Sequence, residues 1–252
     1  IKPGITDMVN TPDFNSTVIR IDDTEVDCDR EEIKDFTQSI NMKNGLFKRK
    51  YILKTRDGKE TEMVFERFLC QEDIHTAVIR CKITPLNHNG VLTFETGIDG
   101  EVANNPISDD QLAENRDVVK LLDAIDVHAQ ENRGYLLLAT GISGNKIAEA
   151  FCIELSGFGQ YELKPVKREK YTGNLITANL EQNKTYIIDK YVCIYSYRDL
   201  PEDKILQQAC SGAEQASKKG FDRLLLESSE KWLKKWKHSD IEICGDAEIQ
   251  GA

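Results

Sequence analysis

Over residues 16–198 the sequence alternates apolar and polar side chains with a period of two, and this alternation restricts the fold more than any other feature. Successive side chains of a strand point to opposite faces, so a period of two marks a sheet with one buried face. The run Ala77-Val78-Ile79-Arg80-Cys81-Lys82-Ile83 shows it best: Ala77, Ile79, Cys81 and Ile83 share one face, Arg80 and Lys82 the other. Residues 63–69 and 186–197 repeat the pattern with aromatic and β-branched residues, which suit a pleated surface. Further strands are expected at 135–139, 147–155 and 160–170. Residues 104–130 divide less cleanly, into a polar loop around Pro106 and Ser108 and then one or two strands over 118–122 and 125–129.

Turn chemistry adds connectivity. Asn44-Gly45, Asp57-Gly58 and Asn89-Gly90 each lie between strand-like runs, and such dipeptides tolerate the positive φ angles of type I′ hairpins. They predict an antiparallel meander, because parallel pairing would need helical crossovers for which there is no room. About a dozen strands predict two packed sheets.

At Asp199 the period changes. Asp199 is a cap candidate, Pro201 suits a first helical turn, and Glu202 follows three residues after the cap. A stripe of Ile205, Ala209, Ala213, Ala216, Gly220, Leu224, Ser228, Trp232 and Trp236 then recurs every three or four residues, as one helix face requires. Glu227/Lys231 and Glu230/Lys234 are oriented as favourable pairs four apart. One helix over 201–237 would be about 55 Å long, more than a sandwich this size needs, and Gly212 and Gly220 are the places for it to break. Trp232 and Trp236 at its far end each offer up to about 200 Å² of mostly apolar surface. The arm is therefore expected to dock against something beyond Ala252 or against another subunit. The expected division is a β-sandwich over 1–199, a helical arm over 200–238 and the start of a further domain over 239–252.

Composition excludes several classes. With 252 residues, 40% hydrophobic and 30% charged, the chain reads as globular rather than disordered. No apolar run approaches the roughly 20 residues that span a bilayer. Ile1-Lys2-Pro3-Gly4 has no signal-peptide character and no initiator Met, so upstream residues are expected. A net charge of −10 disfavours nucleic-acid phosphates, and Lys48-Arg49-Lys50 and the basic residues of 164–170 read as solvated strand faces. Seven Cys (28, 70, 81, 152, 193, 210 and 244) make an odd set without C-x-x-C spacing, which reads as reduced, buried thiols in a cytoplasmic protein.

Catalytic patterns are missing. His75, His88, His128 and His238 form no metal-binding spacing with one another or with Cys. The nucleophile elbow and the Walker phosphate loop are absent. Gly97-Ile98-Asp99-Gly100 and Gly141-Ile142-Ser143-Gly144 precede no helix and read as strand-end turns. The acids Asp22, Asp23, Asp27, Asp29, Glu31 and Glu32 lack the order of a calcium loop and read as a solvated turn. No residue takes a catalytic, substrate-binding or metal-ligating role on sequence grounds, and no cofactor is expected.

Several stretches together resemble the N-terminal region of the glycoside hydrolase family 65 disaccharide phosphorylases, which include the maltose, kojibiose and trehalose phosphorylases. They are Met8-Val9-Asn10-Thr11-Pro12-Asp13-Phe14, Ile40-Asn41-Met42-Lys43-Asn44-Gly45-Leu46-Phe47-Lys48-Arg49, Phe65-Glu66-Arg67-Phe68 and Gly97-Ile98-Asp99-Gly100. Trp232, Trp236, Ser239-Asp240-Ile241-Glu242-Ile243, Gly245-Asp246 and Gln250 complete the series. The resemblance implies a mainly β fold: an antiparallel two-sheet supersandwich of the galactose-mutarotase kind, a C-terminal helical linker, then an (α/α)6 barrel that carries the chemistry. It further implies a barrel Glu as general acid and inorganic phosphate as co-substrate. Phosphate attacks the anomeric carbon of an α-linked glucose disaccharide from the opposite face, giving inversion and β-glucose 1-phosphate. The chain departs from the family where it stops at Ala252, where that barrel would begin, and in lacking Gly-rich strands before Met8. No catalytic residue carries over, and Asn10 and Met42 are expected in packing roles.

The leading expectation is thus a noncatalytic N-terminal domain, in a homodimer, with the downstream barrel of the same polypeptide as its partner. A hydrolase of the same family is one alternative. A stand-alone sugar mutarotase is a second, with His75 or His128 as donors opposite a carboxylate. A carbohydrate-binding module with Tyr161, Tyr171 and Tyr195 as stacking platforms is a third.

Overall fold

The computed structural model describes residues 8–26, 31–104 and 120–240. Two antiparallel sheets face one another, and two helices cover the outside of the larger. In chain order the first strands are β1 (Thr17–Ile21), β2 (Thr24–Glu25), β3 (Glu32–Asn41), β4 (Leu46–Lys54), β5 (Glu60–Leu69), β6 (Thr76–Pro85) and β7 (Gly90–Asp99). β8 (Leu122–Gln130), β9 (Arg133–Thr140), β10 (Lys146–Ser156), β11 (Tyr161–Arg168), β12 (Tyr171–Leu180) and β13 (Tyr186–Ser196) come next. The smaller sheet has the order β11-β12-β7-β1-β2, the larger β3-β4-β5-β6-β13-β10-β9-β8. The less legible stretch after Lys120 is the single strand β8, with a register shift at Ile125; the predicted loop over 105–117 and Val118 and Val119 lie outside the described residues.

The alternation at 77–83 places Ala77, Cys81 and Ile83 in the core between the sheets, with Leu92, Phe94, Ile98, Phe151 and Ile188. The opposite face is not left to water. Val78 packs with Phe68, Tyr191, Ala216, Phe221 and Leu224 beneath the helices, and Arg80 donates to both carboxylate oxygens of Asp189 at 2.7 Å.

The turn expectations divide. Gly45 and Gly58 adopt positive φ (71° and 84°), but Asn44 and Asp57 do not, so these hairpins have longer loops than the two-residue type I′. Asn89-Gly90 closes no hairpin: β6 pairs with β5 and β13, and β7 with β12 and β1, so the chain changes sheets there. The tight turn belongs to Asp22-Asp23, both at positive φ (49° and 63°), with Ile21 opposite Thr24. Asp tolerates that conformation better than most residues, and Asp22 also accepts from Lys59 and from the Val91 amide.

The arm is two helices, α1 (Glu202–Lys219) and α2 (Phe221–Ser239), each about 27 Å long by residue count. The break is at Gly220, whose φ of 79° takes it out of the helix. Gly212 breaks nothing; its bare Cα lets α1 approach Cys193, whose Sγ would lie 2.8 Å from an added Cβ. Ile205, Ala209, Ala213 and Ala216 bury the small-residue stripe against β10 and β13. Asp199 is not the cap: it accepts from Ser196 N and Oγ, and Pro201 occupies the cap position without a side-chain bond. The expected pair Glu227/Lys231 is also absent, because Glu227 takes Lys219 and Arg223 while Lys231 reaches Glu72. No helix among the described residues is long and apolar enough to cross a membrane.

Candidate functional site

The end of the arm rests on the chain's own β3–β4 hairpin. Trp232 lies against Gly45, so close that an added Cβ would sit 2.7 Å from its Nε1, and Trp236 Nε1 donates to the Met42 carbonyl oxygen at 2.9 Å. The two indoles stack at 6.5 Å, with Lys235 Nζ over Trp232. Ser228, Lys231 and Lys235 fix the same helix to Gln71 and Glu72 after β5. α2 thus ends on the β3–β4 hairpin, and Met42 and Gly45 hold it by backbone approach. Asn10 is exposed, and its backbone and side-chain amides donate to Asn104 Oδ1 and the Ala103 carbonyl oxygen.

Behind this hairpin the inner face of β3–β5 continues past the smaller sheet, which lies over β8, β9 and β10. Cross-strand register aligns Ile40 with Phe47 and Arg67, and Gln38 with Arg49 and Phe65. Arg67 covers the Phe47 ring at 4.5 Å and Arg49 approaches it at 5.7 Å. Phe36, Tyr51 and Phe65 stack in a row at 6.5 and 6.1 Å.

Two strongly perturbed ionisable groups lie inside the sandwich. β10 and β13 turn Glu149 and Lys190 inward, where they are 0% and 3% exposed. Lys190 donates to Thr96 Oγ1 at 2.6 Å and to the Gly97 carbonyl oxygen at 3.1 Å. Burial pushes its pKa down to about 7, against the pull of Asp13 and Glu149. Neither Glu149 oxygen accepts a hydrogen bond, and burial, aided by Asp13, raises its pKa well above the usual carboxylate range. Both are sealed from any external substrate. The sequence held a signal for them that composition hides: each is a charge on the apolar parity of its strand, Glu149 between Ile147 and Phe151, Lys190 between Ile188 and Val192.

His75 and His128, each a candidate donor opposite a carboxylate, lie in separate parts of the larger sheet. His75, just before β6, bonds the Ile194 carbonyl oxygen at 2.9 Å and stacks on Tyr195 at 4.0 Å. His128, on β8, stacks on Tyr135 at 5.2 Å. β13, β10 and β9 separate β6 from β8, four strand spacings or about 19 Å. His128 lines a cleft of about 170 Å³ with Arg133, Tyr135, Cys152, Cys210 and Glu214, where Arg133 pairs with Glu214.

Nor do the three tyrosines make one platform. Tyr171 and Tyr195 are buried, and Tyr161 alone is open, beside a shallow groove with Gln160, Glu162 and Asn179. Cys70, Cys81, Cys152, Cys193 and Cys210 are free, and burial pushes the thiols of Cys70, Cys152 and Cys193 up to about 12, which removes them as nucleophiles. Cys28, Cys244, Asp27, Asp29 and residues 241–252 lie outside the described residues. Among the described residues no group of His, Cys, Asp and Glu could hold a metal.

Comparison with known proteins gives this geometry a family. The description "Glycosyl hydrolase family 65, N-terminal domain" matches residues 4–235. An alpha,alpha-trehalose phosphorylase of Thermoanaerobacter brockii is 26% identical over 96% of the chain. A kojibiose phosphorylase of Caldanaerobacter subterraneus subsp. tengcongensis is 27% identical over 97% of it. The chain spans about a third of their length, 31% and 32%. A solved human-microbiome protein described as a kojibiose phosphorylase superposes with a TM-score of 0.81 at 18% identity, over 96% of this chain and 30% of that one, which shows a shared fold.

Proposed function

The chain belongs to the glycosyl hydrolase family 65 N-terminal domain family, and from that premise we propose that it is the noncatalytic front of a cytoplasmic, homodimeric disaccharide phosphorylase. One observation carries the division of labour: the match is to an N-terminal domain, and the relatives are about three times the length of this chain. Glu149 and Lys190, charged residues on the core parity of their strands, are closed inside the sandwich and out of reach of a substrate, and in this reading bond cleavage belongs to the downstream portion.

In this reading a carboxylic acid of that portion protonates the glycosidic oxygen of an α-linked glucose disaccharide. Inorganic phosphate attacks the anomeric carbon from the opposite face, inverting it and releasing β-glucose 1-phosphate. The sandwich supplies no proton. Its part is to hold the arm, α1 on β10 and β13 and α2 on the β3–β4 hairpin, so that the polypeptide after Asp240 starts from a fixed position.

Phosphorolysis of trehalose, kojibiose and maltose by residues 1–252 and by the longest product of the gene tests this. Glucose 1-phosphate from the longer protein alone is expected and would name the linkage. Glucose without glucose 1-phosphate would identify a hydrolase, and turnover by residues 1–252 would overturn the division of labour.

A further inference from the structure

We infer that the inner face of β3–β5, formed by Phe36, Ile40, Phe47, Arg49, Arg67 and Leu69, is the surface on which the polypeptide after α2 docks. The inference rests on the phosphorylase reading, because it takes its partner from the length by which the relatives exceed this chain.

Among the described residues the face is largely apolar and uncovered. Phe36, Ile40 and Leu69 are 56%, 62% and 60% exposed, on the outer strands of this three-stranded stretch and on the parity that forms the core elsewhere in the same sheet. Single exposed apolar residues are ordinary on a soluble protein, whereas a contiguous set of them marks a contact surface. The outer faces of β5 and β6 show what a partner does: Phe68 and Val78 are buried because α2 lies on them.

Its cations are also unspent. Arg67 donates to Asn15 Oδ1 and Arg49 to Gln38 Oε1, and neither meets a carboxylate among the described residues. In a chain of net charge −10, two arginines gathered over one phenylalanine ring and paired with no carboxylate among the described residues are conspicuous. Aromatic residues and Arg are the types enriched in the centres of interfaces. The face therefore fits an apolar surface carrying carboxylate or carbonyl oxygens placed for two guanidinium groups.

The choice of occupant follows from where the chain leaves. α2 ends one turn beyond Trp236, whose indole is bonded to Met42 at the hairpin tip, and Ile40 lies two residues from that tip on the inner face. Polypeptide leaving Asp240 starts at the rim of the face. Tethering of this kind gives an effective concentration in the millimolar range, so an attached domain outcompetes a second copy at ordinary protein concentrations.

Hydroxyl-radical footprinting of residues 1–252 and of the longest gene product tests the assignment. In the longer protein, oxidation of Phe36, Ile40 and Leu69 is expected to slow at least fivefold, with exposed Ile142 on the β9–β10 turn unchanged. The double substitution Ile40→Ser with Leu69→Ser is expected to leave the melting of residues 1–252 within a degree or two, and to split the longer protein's single transition into two. Equal oxidation rates in both proteins overturn the inference, as does a gene that ends at residue 252. Protection already present in residues 1–252 and lost on dilution assigns the face to a second copy, which also overturns it. Phosphorolysis measured on the same samples separates the two ideas: activity with an exposed face sinks the docking surface alone, and a protected face without activity sinks the phosphorylase reading alone.

Discussion

Around β8–β10 the large sheet carries the smaller sheet on its inner face and, over β10, α1 on its outer face, whereas around β3–β5 the helical cover is α2 on the outside. The contents of the two halves are the reverse of what their cover suggests. The doubly covered half encloses Glu149, without a hydrogen-bond donor, and the half next to the hairpin leaves Phe36, Ile40 and Leu69 exposed. Burial of a charge and exposure of a hydrophobe both oppose folding. The first locates a place where the fold tolerates a cost because the rest of that core is closed. The second locates a place where the fold is unfinished.

The largest expected effect tests the closed half. A carboxyl whose pKa burial raises well above the usual 4.5 lowers stability wherever the unfolded chain ionises it more readily than the fold does. Glu149→Gln is therefore expected to raise the unfolding free energy at pH 7. The sign follows from linkage: the folded pKa lies above the unfolded one, so the wild type loses stability as pH rises above about 4.5. Below that pH both states hold the proton and the variant's advantage should vanish. Urea unfolding at pH 4 and pH 7 measures it. A variant less stable at pH 7 would mean that Glu149 is ionised and supported by Lys190.

Next in size is the anchor of α2. Trp232 is half-buried on Gly45, and its indole N–H is buried without an acceptor, so its contribution is apolar contact. Trp232→Ala is expected to cost about 2 kcal/mol, below the range for a fully buried Trp. Trp232→Phe keeps ring area and removes the unpartnered N–H, so it should cost less than about 1 kcal/mol. Thermal melts of both variants decide it; equal losses would place the weight on the indole nitrogen instead.

Smaller still is the fit of α1 on the closed half. Gly212→Ala gains helix propensity but drives a methyl to within 2.8 Å of Cys193 Sγ. The expected net loss is about 1 kcal/mol, since overpacking outweighs propensity. Adding Cys193→Ala should recover it, and a double-mutant cycle reads the coupling directly. Additive losses would show that the helix simply shifts outward.

These positions also show where sequence reading succeeds and where it stops. Alternation at 77–83 located a strand and its core face, because burial on one side imposes the period itself. It says nothing about which strand lies alongside, and so Asn89-Gly90, with the composition of a hairpin turn, is a passage between sheets. Asp22-Asp23, read only as a solvated acidic turn, is the tight hairpin because two short polar side chains accept positive φ in succession. The stripe through Trp232 and Trp236 marked the buried face of the arm, but helical periodicity carries no information about its counterpart, here the backbone at Met42 and Gly45. Glu149 and Lys190 break the apolar parity, and only packing tells whether such a charge reaches water or is enclosed.

The smallest effect bears on the open half. Ile40 and Leu69 make no enclosed contacts among the described residues, so Ile40→Ser with Leu69→Ser should change unfolding free energy by less than about 0.5 kcal/mol, the range for surface substitutions. Serine suits a strand less well than Ile, which sets a small loss as the expected sign. The absence of a large effect is the informative result when set beside Trp232→Ala, whose side chain lies near the same hairpin but has a partner. A loss of about 2 kcal/mol or more, the scale of a buried apolar side chain, would mean that these side chains already lie in a packed environment in solution. The two halves of the sheet would then not differ in the way their exposures indicate.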